Sequence, residues 1–408
     1  MRISTSSMYN ANVSLLNQQQ TQLLHTQQQI ATQRRNLTPA DDPIASARAL
    51  EVSQSDASNS QFATNRNTAQ QSTSLAEDVL QSVTNLLHDV RTVAVNAGNG
   101  GLNNSDKQTL ATDLSGRLEE LLALANSTDG IGNYLFSGFQ GRTQPFANNG
   151  AVVQYQTDDG QRMIQVSSSR QLAASDSGAD IFMRVKNGNG TFNVQAAAPN
   201  TGSGIVSPGA ITNPALLTGN NYQVTFSVVA GVTTYGVTNI TPGALVPVPI
   251  AAGTPYVSGQ AISFDGLQFD ITGAPANGDV FTVAPSSNES IFKTISDFIT
   301  ALRTPNSLGG ATASAEFTNS RNKALNNLDR GLDNVLTVRA SLGTRLNELS
   351  ALQSAGESMG VQYKETLSQL QDVDFNKAIS DLNQQKISLE AAQKSFLAVS
   401  GLSLFNYM

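Results

Sequence analysis

The chain has two imidazoles, His25 and His88, and no cysteine. Acid–base catalysis by histidine needs a positioned partner group. Both histidines instead fall at outward f-type positions of heptad-like stretches, where solvated helix faces are expected. The lack of cysteine excludes thiol catalysis, disulfides and cysteine-rich zinc sites. A covalent nucleophile would have to be Ser or Thr, yet no G-x-S-x-G elbow is present. Neither a Walker loop nor a G-x-G-x-x-G following a strand occurs. No cofactor is expected.

Three short clusters could carry chemistry and read better as structure. Asp41-Asp42 could be a paired-carboxylate site. Between Thr38 and Pro43, however, it reads as a helix break and restart. An Asp caps the new helix and Pro43 enters its first turn. Asp372-Val373-Asp374 lacks the glycine and the distal Glu of a calcium loop, so helix capping is expected there too. Asn187-Gly188-Asn189-Gly190 occurs once and carries no carboxylate, which fits a hairpin turn.

These clusters punctuate helical stretches at both ends of the chain. Val13, Leu16, Gln20, Leu23, Gln27, Ile30, Arg34 and Leu37 follow a 3-4 spacing that predicts a helix over 10–37, ended by Thr38-Pro39. Ala76, Val79, Val83, Leu86, Val90, Val93 and Ala97 repeat the pattern until Gly98-Asn99-Gly100-Gly101 stops it. Ser105 then reads as the cap of a further helix through Leu110, Leu114 and Leu121. Near the far end, Leu325 to Leu349 form an unbroken seam. A last one runs through Phe375, Ala378, Leu382, Gln385, Leu389, Ala392, Phe396 and Val399. Polar a-type residues Gln20, Gln27 and Gln385 narrow the terminal seams, which read as too narrow to be buried within one chain.

Between the helical ends the periodicity changes to two. Val152–Tyr155, Met163–Val166, Tyr222–Val228 and Phe264–Ile271 alternate as strands do, with turn pairs at Asp159-Gly160, Asn187-Gly188 and Asn277-Gly278. This region is readable as two lobes joined by a linker near 199–214. From Asn187 to Phe264 there is no Asp, Glu, Lys or Arg. The expected class is α+β: an antiparallel bundle of long coiled-coil-like helices from both ends, with a β-rich domain inserted between them. The segments divide as 1–45 N-terminal assembly helix, 46–140 and 288–365 helical domain, 141–287 β-rich outer domain, and 366–408 C-terminal assembly helix.

Composition narrows the partners. Charged residues make up 13% of the 408, and the net charge is −7; a typical protein has roughly twice that charged share. Nucleic-acid binding needs clustered Lys and Arg, so it is not expected. No run of 18 apolar residues exists, so no membrane span is expected. The N-terminus has no apolar core of a secretory signal.

Five segments, in order, resemble the flagellin superfamily. They are MRIST at 1–5 with Tyr9, LTPADDPIASARAL at 37–50, IGNYLFSGFQGRTQPF at 131–146, VRASLGTRLNEL at 338–349, and the run from Asp372 to Met408. The ending Ser403-Leu404-Phe405-Asn406-Tyr407 favours a junction protein over a filament subunit. The resemblance implies a structural, non-enzymatic role in the bacterial flagellum, at the boundary of hook and filament. It implies export without a cleavable signal, through the type III apparatus with a dedicated chaperone. It further implies a ring of identical copies between hook-associated protein 1 and flagellin. The expected assembly interface is Leu16, Leu23, Ile30, Leu37, Phe375, Leu382, Leu389, Phe396, Val399, Leu404 and Phe405. On this reading the terminal helices wait for neighbouring copies to cover that face. A flagellin filament subunit is the alternative, and a secreted adhesin with a receptor-binding β tip is a third reading.

Overall fold

Among the described residues, apolar side chains at three- and four-residue spacing wind six segments into α-helices. They are α1 (Thr5–Thr32), α2 (Pro43–Asn96), α3 (Asn104–Ala125), α4 (Ile291–Arg303), α5 (Gly310–Gln371) and α6 (Phe375–Phe405). The structure, a computed structural model, describes residues 5–150, 152–197, 200–242, 249–304 and 310–405. Between α3 and α4 lie short strands, and every pairing among them is antiparallel. The α+β class with helical ends and a β-rich centre is therefore what the chain adopts.

Two compact units divide the chain, residues 1–65 with 351–408, and residues 66–350. The second unit has two cores. One joins α2, α3, α4 and α5 around Leu80, Leu87, Leu114, Ile295 and Val335. Phe136, Phe146, Phe182 and Phe292 close its end, with successive ring centroids 5.3–5.8 Å apart. The other core belongs to the strands, with Tyr222, Val224, Phe226, Phe269, Ile271 and Phe281 buried. Its main sheet takes the order β11 (Ile250–Pro255), β10 (Val232–Asn239), β9 (Tyr222–Val229), β14 (Val280–Pro285), β6 (Phe192–Ala196). Along β9, buried Tyr222, Val224 and Phe226 alternate with more exposed residues, the period-two signature of a half-covered sheet.

The structure departs from the sequence expectation at three helix or strand ends. First, α1 stops at Thr32, not Leu37. Gln33 takes a left-handed φ of 61°, and the Arg35 N–H donates to Gln371 O at 2.7 Å, so the chain leaves the helix before Pro39 acts. Second, the cap of α3 is Asn103, not Ser105; Asn103 and Asp106 form a reciprocal capping box. Third, Phe264–Ile271 is not one strand. Asp265 and Gly266, with φ of 46° and 77°, turn the chain between β12 (Ala261–Phe264) and β13 (Leu267–Thr272). Two consecutive positive φ values suit an Asp-Gly hairpin turn.

Ion pairs clamp helix α5 to its neighbours. Arg339 meets Glu77 at 2.7 Å, and Arg345 meets Asp176 at 2.7 Å. The Arg345 and Asp176 side chains are only 13% and 11% exposed, and Arg345 also donates to Ala173 O. Removing one partner of such a pair strands the other charge. Asp176→Ala is therefore expected to lower stability by about 3–5 kcal/mol, read as a shift in urea midpoint. Val229→Ala, at an exposed hairpin tip, serves as the control and should change stability by less than about 0.5 kcal/mol. Gly98 sits where α2 has ended, and a Cβ there would lie 1.7 Å from the Arg321 guanidinium.

Candidate assembly interface

The terminal helices α1 and α6 pack on each other within one chain. The Tyr9 and Phe396 rings lie 5.3 Å apart, near the N-terminal end of α1 and the C-terminal part of α6. At the other end, Arg34 and Asp372 form an antiparallel bridge. The pair is thus antiparallel. In the register Tyr9 sets, Leu16 stands level with Leu389, Leu23 with Leu382, and Ile30 with Phe375.

This arrangement corrects the expectation of an uncovered seam. Leu16, Leu23, Ile30, Leu382, Leu389 and Phe396 are half-buried in the lone chain, because each helix supplies the other's missing face. Phe375, at the start of α6, is 43% exposed. Leu37 is half-buried in the loop after α1 rather than on the helix. The side chains of Val399, Leu404 and Phe405 lie outside the described residues. Gln20 and Gln27 point to solvent, while Gln19 and Gln385 face the seam.

Further apolar side chains stay uncovered on the pair. Leu15 and Leu24 of α1, with Ile379 and Ile387 of α6, are 48–68% exposed. In the same unit, Ile44 and Leu50 of α2 and Met359 and Val361 of α5 are also largely exposed. Scattered apolar residues on a surface need no explanation. Leu15 and Leu24, nine residues apart, stand about 180° apart around α1, so exposed apolar residues flank the seam on both sides, where neighbouring helices can pack.

The clusters singled out for chemistry serve to break and cap helices. Asp41 accepts from the backbone N–H groups of Leu37 and Thr38, both at 2.8 Å, and Asp42 accepts from Ala45 N–H at 3.0 Å at the start of α2. The Thr38 N–H above all holds the Asp41 carboxyl below the usual carboxylate range. His25 lies 3.5 Å from Asp41 on a partly exposed surface, and His88 is exposed. Asp374 accepts from Asn376 and Lys377 N–H at the start of α6. Asn189 accepts from Thr191 and Phe192 N–H in the turn that leads into β6. Among the described residues, no three His, Asp or Glu side chains are placed to hold a metal, and no helix is long and apolar enough to cross a membrane.

The two breaks lie side by side. Gln33 O accepts from Val373 N–H at 3.1 Å, and the Arg35 guanidinium donates to Leu370 O. The loop after α1 and the loop before α6 are therefore joined by backbone and side-chain hydrogen bonds.

Comparison with known proteins places this architecture. The bacterial flagellin N-terminal helical region matches residues 3–141. The D2-like domain of flagellar hook-associated protein 1 matches residues 195–285, the strands of the second core. Flagellar hook-associated protein 3 of Salmonella typhimurium is 32% identical over 408 residues, 99% of each chain. The chain belongs to the flagellar hook-associated protein 3 family. Solved structures agree. Hook-associated protein 3 of Legionella pneumophila superposes with a TM-score of 0.74 at 33% identity, over 78% of this chain and 98% of that one. A structure described as the flagellar junction protein of the same organism gives 0.69 at 33% identity, over 80% and 100%.

For a member of the hook-associated protein 3 family, the chemistry to explain is helix packing. Sequence periodicity found the residues of the α1–α6 seam but not the exposed apolar residues that flank it. The signal was present in the doublets Leu15-Leu16 and Leu23-Leu24, which put one apolar side chain on each flank of the seam.

Proposed function

We propose that this chain is a structural protein of the bacterial flagellum that joins hook to filament and is needed for motility. The observation that carries the reading is the set of exposed apolar residues flanking a helix pair whose own seam is already used internally. Copies arranged in a ring bury those residues against one another. In this reading one side of the ring meets hook-associated protein 1 and the other meets flagellin. The chain reaches that position through the type III export apparatus, accompanied by an export chaperone. The role is mechanical and involves no catalysis. A filament-subunit reading has less support, because the full-length likeness is to hook-associated protein 3.

Immunogold labelling of intact flagella tests the reading. The expected result is a single band of label at the hook–filament boundary. Label along the filament would make the chain a flagellin, and absence of label from flagella would remove the reading altogether.

A further inference from the structure

The α1–α6 seam repeats every seven residues, from Tyr9 to Ile30 on one helix and from Phe396 to Phe375 on the other. Such a repeat does not define its own alignment. Sliding one helix by seven residues restacks apolar side chains on apolar side chains; it loses one end level and the hydrogen bonds that join the two breaks at Arg34 and Asp372. Those bonds hold one end of the seam only.

One level of the seam is not apolar. Between the Leu16 and Leu23 levels, Gln19, Gln22, Asp381, Gln384, Gln385 and Ser388 line a cavity of about 310 Å³. The Oε1 atoms of Gln19 and Gln385 are shielded from solvent and meet no donor among the described residues. We propose that this polar level fixes the register of α1 against α6, with Gln19 and Gln385 as the residues that determine alignment. In the native register each buried amide faces the polar side chains of the opposite helix, and the cavity is roomy and polar enough to admit water. Slipped by seven residues, Gln19 would stand level with Ala378 or Ala392. Its amide would then be buried against a methyl group, which is costly without a hydrogen-bonding partner. A single polar position can specify alignment in paired helices in this way, at some expense in stability. The alignment matters because it sets the axial offset between Leu15 and Leu24 on one helix and Ile379 and Ile387 on the other.

The absence of native cysteine makes the test direct. Leu16→Cys with Leu389→Cys reports the native register in the full-length chain. Leu16→Cys with Leu382→Cys, or with Phe396→Cys, reports a slip in either direction. A short bifunctional thiol reagent is applied at high dilution, and intramolecular links are counted by mass. With Gln19 and Gln385 in place, the native pair should link at least about tenfold faster than either slipped pair. With Gln19→Leu and Gln385→Leu added, the slipped pairs should link at rates comparable to the native pair. Slipped pairs that stay slow in the Leu background would overturn the proposal, as would no linking of the native pair in the Gln chain. Gln20→Leu with Gln27→Leu adds the same apolar bulk on the exposed face and should leave slipped pairs slow; if it frees them, general stickiness explains the effect and the proposal fails. The readout is on the lone chain, so its failure leaves the junction role standing.

Discussion

Cells whose chain carries Ile379→Asp and Ile387→Asp should swim no better than cells lacking the protein, although the purified variant melts as the parent does. Both side chains project from α6, 48% and 68% exposed, so the lone chain has little to lose by their change. Surface substitutions of this kind usually alter stability by less than about 0.5 kcal/mol. In a ring they would carry two carboxylates into each subunit contact, where an unpaired buried charge costs several kcal/mol. Summed around a ring, that penalty exceeds what marginal helix contacts can offset. The expected phenotype is flagellin secreted into the medium and hooks without filaments. Leu382→Asp with Leu389→Asp separates the two layers of the argument, because these residues lie in the internal seam. That variant should lose the α1–α6 pair itself, seen as reduced helix content by circular dichroism. Normal swimming of the Ile379/Ile387 variant would show that these exposed side chains of α6 are not an assembly surface.

Phe182→Ala should be the most damaging single truncation in residues 66–350. Phe182 has no solvent exposure and packs edge-on against Phe136 and Phe146, with Phe292 at 5.8 Å. It sits in a π-helical turn, Ala179–Met183, that presents it to three separate segments at once. Emptying such a site costs the transfer energy of the ring and leaves a cavity, together about 3–5 kcal/mol. The neighbours have little room to collapse. Gly178, beside it, already lies so near the Phe146 ring that a Cβ there would come within 2.8 Å. Urea unfolding should show the loss as a lower midpoint with an unchanged slope. A loss below about 1 kcal/mol would mean that the aromatic cluster is not the joint between the loops and the helices.

Much of this was legible in the sequence, for local reasons. The 3-4 seams of α2 and α5 are core stripes, and Leu328, Leu332, Val335, Leu342 and Leu349 are all buried. Asp42 before Pro43 marked the start of α2 because capping chemistry is confined to a few neighbouring residues. The identity of what covers a stripe was not legible. Periodicity states that Leu382 and Leu389 face something apolar; it does not state that the something is α1 of the same chain. For the same reason the order of the main sheet could not be read. Strand β14 lies between β9 and β6, and that pairing joins residues 55 to 93 positions apart. The missed hairpin at Asp265-Gly266 is different in kind. The Asp-Gly pair was visible, but apolar alternation on both sides masked it.

The joined loops at Gln33–Asp42 and Asp372–Asp374 have a mechanical consequence. A helix resists bending through its continuous ladder of hydrogen bonds along the axis. At this level both ladders stop together, and the connection is a bridge between Arg34 and Asp372 with a few hydrogen bonds around it. The bending compliance of residues 1–65 with 351–408 is therefore concentrated in one cross-section instead of being spread along two rods. Under an oscillating transverse load, the curvature localises there, and the packed lengths on either side stay straight.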